Sequence, residues 1–73
     1  RVIAILHNYD RVRLMTSSFQ SRNASQFDVG YIIEVYDDGS YEIEFSDARG
    51  ATRAQIVARA EDLQFAEGVD EAP

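Results

Sequence analysis

The segment from Val29 to Phe45, Val-Gly-Tyr-Ile-Ile-Glu-Val-Tyr-Asp-Asp-Gly-Ser-Tyr-Glu-Ile-Glu-Phe, writes out a β-hairpin almost completely. Its two arms alternate β-branched or aromatic residues with glutamates, the period of strands that have one dry and one wet face. Between them, Asp37-Asp38-Gly39 supplies turn formers and a glycine able to take the left-handed backbone. A three-residue loop, a type I turn closed by a glycine bulge, sets Tyr36 opposite Ser40. Counting back pairs Val35 with Tyr41, Ile33 with Ile43 and Tyr31 with Phe45 on one face. On the other face Glu34 meets Glu42 and Ile32 meets Glu44. A two-residue loop over Asp38-Gly39 would set Glu34 opposite Ile43 and force one of them onto the wrong side, so that register is rejected. The expected core face is therefore Tyr31, Ile33, Val35, Tyr41, Ile43 and Phe45, with the glutamates in water.

The next turn, Asp47-Ala-Arg-Gly50, extends the pattern as a four-residue loop pairing Ser46 with Ala51. This places Thr52, Ala54 and Ile56 beside Phe45, Ile43 and Tyr41, and Arg53 opposite Glu44 on the wet face, an arrangement that a cross-strand ion pair favours. Residues 51 to 63 are also rich in helix formers. A strand is preferred, because the hairpin needs a third strand to bury its apolar face.

Upstream, Arg11-Val-Arg-Leu-Met15 alternates with Val12 and Leu14 inward. Before it, Val2 to Leu6 reads as a short strand or a leading segment packing through Leu6 and Tyr9. The serine-rich stretch from Thr16 to Asp28 is a long surface loop anchored only by Phe19 and Phe27. Glu61-Asp-Leu63 suggests a tight turn before a last strand at Gln64-Phe65, and residues 66–73 form an acidic tail with little to bury. Strand, long loop, three-stranded meander, turn and final strand describe an all-β fold, a small SH3-like barrel of about five antiparallel strands spanning residues 1–65, its last strand beside its first. Rolling the sheet reduces exposed edges, which matters in a domain of 73 residues.

Cysteine is absent, which removes disulfides and thiolate metal sites. The longest strongly apolar run, Val2 to Leu6, is too short to span a bilayer, and a soluble, cytoplasmic protein is expected. Arg1 as first residue reads as the product of trimming, and no secretory signal pattern is visible. Thirteen acidic residues against seven arginines and no lysine give a net charge of −6. Such a chain is repelled by phosphate backbones, so nucleic acid is a poor partner and a basic protein a better one.

The runs Asp10-Arg-Val-Arg-Leu14, Asp28 through Asp47, Gly50-Ala-Thr-Arg-Ala-Gln-Ile-Val57 and Glu61-Asp-Leu63 together resemble the small bacterial family catalogued as domain of unknown function 4926. The resemblance covers roughly residues 9 to 65 and is most specific in the hairpin. In the long loop the family usually shows Gly-Asp before the glycine strand, where this chain has Phe27-Asp28. Members tend to be encoded singly or beside toxins, which implies an interaction or immunity-type role. In outline the family is similar to other SH3-like barrels, including modules of ribosomal and transcription factors and of nitrile hydratase subunits. It offers no catalytic residue to carry over.

Two surface features are candidates for function. The strip Glu34, Glu42 and Glu44 carries like charges directly opposed, which costs stability unless a cation sits between them or a partner supplies one. Arg53 can serve Glu44, and Arg11 or Arg13 can reach Glu34; the alternative to a docking surface is a solvated, internally balanced face. The second feature is aromatic. If the first strand, the long loop and the hairpin's outer end meet, Tyr9, Phe19, Phe27 and Tyr36 line a shallow groove suited to an extended peptide. Their alternative role is to anchor loops and cover the core.

Asp37, Asp38 and Asp47 lack the alternating ligands of a calcium loop and are read as turn formers, so no metal or cofactor is expected. His7, the only histidine, has no nucleophile and orienting group specified around it, and no catalytic residue is expected. The leading expectation is a non-enzymatic protein-binding module of antitoxin or immunity type, engaging a basic partner through its acidic face. A nucleic-acid or ribosome-associated barrel and an accessory domain of a larger enzyme are the alternatives. Self-association into a homodimer through exposed Ile32 and Val57 is a further expectation.

Overall fold

A computed structural model describes residues 5–66. Five strands, β1 (Arg11–Leu14), β2 (Val29–Val35), β3 (Ser40–Ser46), β4 (Thr52–Arg59) and β5 (Leu63–Phe65), form one open antiparallel sheet in the order β4-β3-β2-β1-β5. The last strand returns beside the first, as expected. Short 3₁₀ turns occupy Gln20–Arg22 in the long loop and Ala60–Asp62 between β4 and β5. Thr52–Arg59 is extended rather than helical, because Ala54, Ile56 and Ala58 alternate into the core and bury there what helix propensity alone could not. Of the expected leading segment, only Ile5 and Leu6 lie within the described residues, and Leu6 is buried. The expected tail falls outside them except for Ala66, which is buried and donates its N–H to the Arg11 carbonyl.

The sheet covers its own core. Val12, Leu14, Ile32, Ile43 and Phe45 have no solvent exposure. With no second sheet among the described residues, that demands curvature, and the long loop shows where it leads. Leaving β1, this loop reaches β4, three strands away: the Arg22 guanidinium donates to the Gln55 carbonyl (3.1 Å) and that of Arg53 to the Asn23 carbonyl (2.6 Å). Arg53 also pairs with Asp28 at 3.1 Å and lies 5.7 Å from the centre of the Phe45 ring. The Arg53 side chain therefore straps the loop across the curled sheet, and Ala24 is carried fully into the core beneath it.

The hairpin's turn is the expected three-residue loop. Tyr36 N–H donates to the Ser40 carbonyl (2.9 Å), Gly39 N–H to that of Tyr36 (3.0 Å), and Gly39 has φ +88°. Val35 pairs with Tyr41 and Glu34 with Glu42, as expected. Beyond Glu34 the expected register fails: Ile32, not Ile33, opposes Ile43, and Tyr31 opposes Glu44. A β-bulge at Ile33 absorbs one residue. The cause is steric as well as hydrophobic. With Ile32 inward, Gly30 also turns inward and leaves room for the Phe45 ring; a Cβ there would lie 2.8 Å from that ring and 2.6 Å from the Glu44 carbonyl oxygen. Tyr31, with a hydroxyl to keep hydrated, goes outward, and Val35 is also exposed, so neither belongs to the core as expected. Ile33 and Tyr41 are half-buried.

The second turn also differs from expectation. Asp47 pairs with Ala51 around the three-residue loop Ala48-Arg49-Gly50, with Gly50 at φ +87° and the Asp47 carboxylate accepting N–H bonds from Arg49 and Ala51. A bulge at Arg53 then aligns Phe45 with Ala54, Ile43 with Ile56 and Tyr41 with Ala58. Facing is preserved for Ala54 and Ile56, but Thr52 is exposed and Gln55, not Arg53, opposes Glu44.

Candidate functional site

Residues directly opposed in antiparallel strands share a face, so the register defines the outer surface of the sheet. One row runs Arg11, Tyr31, Glu44, Gln55 from β1 to β4, and the next runs Glu34, Glu42, Val57 from β2 to β4. The three glutamates singled out from the sequence therefore lie together. Exposed apolar groups sit among them, with Tyr31 about half exposed and Val57 likewise. The bulge at Ile33 makes this mixture, since an unbroken ladder would have turned Tyr31 inward.

The polar contacts on this face come from hydroxyl groups. Tyr36, at the hairpin end, donates its phenolic O–H to Glu42 Oε1 at 2.5 Å, and the Thr52 hydroxyl donates to Glu44 Oε2. The Glu42 hydrogen bond raises the Tyr36 phenol above its ordinary value, helped by desolvation and by the negative charges of Glu42 and Glu34. The His7–Asp10 and Arg53–Asp28 pairs do not involve these glutamates. Arg53, expected to serve Glu44, instead holds Asp28 and the long loop.

The four aromatic candidates are not gathered into one groove. Tyr9 donates its N–H to the Ile32 carbonyl and Phe27 to the Leu14 carbonyl, both at 2.6 Å, which places them at opposite ends of the β1-β2 ladder. Both rings are well exposed, and both backbones are left-handed, at φ +72° and +76°. That conformation is unfavourable for bulky residues. Phe19 packs on the core and caps the loop, its carbonyl accepting N–H bonds from Arg22 and Ala24. Only Tyr36 joins the acidic face.

The other polar residues serve turns. The Asp38 carboxylate accepts the N–H and the hydroxyl of Ser40 at 3.0 and 2.6 Å, and these bonds hold it below the usual carboxylate range. His7 N–H donates to Asp10 at a bend before β1. No group of three or more metal-ligating side chains occurs among the described residues, and no helix there is long and apolar enough to cross a membrane.

The family model described as Domain of unknown function (DUF4926) matches residues 8–65. The chain belongs to that family. The match takes in every strand of the sheet and all the acidic and aromatic candidate residues. No curated protein and no solved structure matches the chain. Sequence reasoning missed Tyr31 and Val57 as members of the acidic face: it placed Tyr31 in the core and treated Val57 as a homodimer contact. Gly30 was the signal available, since a glycine inside a strand marks a bulge or a close approach.

Proposed function

We propose that this domain is a non-enzymatic protein-interaction module that docks a basic protein on the outer face of β2, β3 and β4. One observation carries the reading. Glu34 and Glu42 stand directly opposed, Glu44 lies in the adjacent row, and the side-chain bonds to Glu42 and Glu44 come from the neutral hydroxyl groups of Tyr36 and Thr52. Like charges so placed oppose folding, and a cationic partner relieves that cost on binding. Tyr31, Tyr36 and Val57 supply apolar area among the charges, the composition of a surface that excludes water around ion pairs. The net charge of −6 steers basic partners toward the whole domain. The action assigned is that of an immunity or antitoxin protein, which covers a cationic surface and performs no chemistry itself. The same charge disfavours nucleic acid.

The test begins with the protein that co-elutes in fixed stoichiometry with this chain from its native cell, prepared in pure form. Titration calorimetry should show Glu34→Lys and Glu42→Lys weakening the complex by at least about tenfold, with a steep salt dependence in the parent. Glu61→Lys, in the 3₁₀ turn beyond β4, makes the same charge change off this face and should cost less than about threefold. Equal affinity for parent and both face variants would refute the proposal.

A further inference from the structure

The hairpin tip carries a chemical liability that the fold restrains. Asp38-Gly39 is the only Asp-Gly or Asn-Gly dipeptide in the sequence. Glycine has no Cβ to shield its amide nitrogen from the preceding side chain, so this dipeptide can close on itself. We propose that Asp38-Gly39 is a latent isoaspartate site, held unreactive by Ser40 while the turn is closed and released when the turn opens.

The reaction begins with attack of the Gly39 amide nitrogen on Asp38 Cγ. The nitrogen gives up its proton, a carboxyl oxygen leaves as water, and a five-membered succinimide forms. Water then adds back to one of the two ring carbonyls. Opening at the former backbone carbonyl leaves the chain running through Cγ, as isoaspartate. One water leaves and one returns, and no oxidant or reductant is needed.

Three features of the closed turn oppose the first step. Asp38 Oδ1 accepts both the N–H and the hydroxyl of Ser40, at 3.0 and 2.6 Å, which directs the carboxylate toward residue 40 and ties it there. Gly39 N–H is committed to the Tyr36 carbonyl at 3.0 Å. The same Ser40 bonds favour the ionised carboxylate, from which an oxygen departs less readily than from the acid. Ser40 is itself buried, so its hydroxyl has little competition from solvent. Conversion inserts a methylene into the backbone between Tyr36 and Ser40, whose 2.9 Å bond closes the turn. Tyr36 then loses its place beside Glu42, and only this last consequence touches the docking surface proposed above.

The experiment incubates the full chain near neutral pH and follows the peptide containing Asp38 by mass spectrometry, reading isoaspartate as a species of equal mass, shifted retention and diagnostic fragments. Conversion in guanidinium chloride should exceed that of the folded chain by roughly tenfold or more, the factor that follows from breaking the charged Ser40 bonds before reaction. Ser40→Ala, with folding verified by circular dichroism, should convert several times faster than the parent. Asp38→Glu should show no product, since its ring would have six members. Equal rates for folded and unfolded parent would overturn the proposal whatever the variants do, and a folded Ser40→Ala converting at the parental rate would remove Ser40 from it.

Discussion

Replacing Arg53 with Gln isolates the strap that closes the curled sheet. The substitution keeps part of the aliphatic stem and removes the guanidinium that lies over Phe45, and with it the charge. It abolishes the 2.6 Å bond to the Asn23 carbonyl and the 3.1 Å pair with Asp28. Each bond to a charged group contributes about 1.5–3 kcal/mol when well shielded. Here the side chains are 28% and 29% exposed, and Asp28 keeps a 2.8 Å bond from Ser25 N–H, so the two contributions fall short of their sum. A loss of about 2 kcal/mol follows, or a fall in Tm of about 10 °C for a domain of this size. Urea unfolding followed by tyrosine fluorescence measures the first and calorimetry the second. Arg49→Gln, at an exposed turn, should change stability by less than about 0.5 kcal/mol. A double-mutant cycle with Asp28→Asn should return a coupling of about 1 kcal/mol. An Arg53→Gln domain as stable as its Arg49→Gln counterpart would show that the long loop is not what holds the sheet curled.

Ile32→Ala should cost about 2–5 kcal/mol and Ile33→Ala distinctly less, because the bulge sends the first side chain into the core and leaves the second half-buried; urea midpoints in the reverse order would place the bulge elsewhere. Gly30→Ala, whose Cβ would collide with the Glu44 carbonyl and the Phe45 ring, should destabilise by about 3 kcal/mol, and a neutral result in thermal unfolding would contradict that packing. The Tyr36 phenol is raised in the folded state, so the stability its bond to Glu42 contributes is full below the ordinary tyrosine value near 10 and is lost as pH climbs through the raised one. Ultraviolet titration should show one tyrosine ionising late in the parent and moving earlier in Glu42→Gln; unchanged curves would separate the two residues.

Strict alternation in Tyr41 to Phe45, and the hairpin's need of a third strand after it, made the strands, the sheet order and much of the core readable from residues alone. In Ala54 to Ala58 burial alternates but residue type does not, because Val57 breaks the pattern. Glycines at 39 and 50 likewise marked both turns. Alternation fails at Ile32-Ile33, where two β-branched residues adjoin and either can turn inward. What decides is the space above Gly30, filled by Phe45 from another strand, and a single strand's pattern does not contain it. The same limit applies to the site. Glu34 opposite Glu42 follows from the turn, but Tyr31 beside Glu44 follows only from the bulge. The sequence reading paired Arg53 with Glu44, and its actual pairing with Asp28 depends on a loop folding back across the sheet.

The most direct measurement on the acidic face is a titration of ¹⁵N-labelled domain with the purified protein that co-elutes with it from its native cell, followed residue by residue in amide spectra. Docking on the outer face predicts the largest changes at Tyr31, Glu34, Glu42, Glu44 and Val57, fading as salt is added. Changes centred instead on Tyr9 or on the loop around Phe27, with those five residues undisturbed, would contradict it.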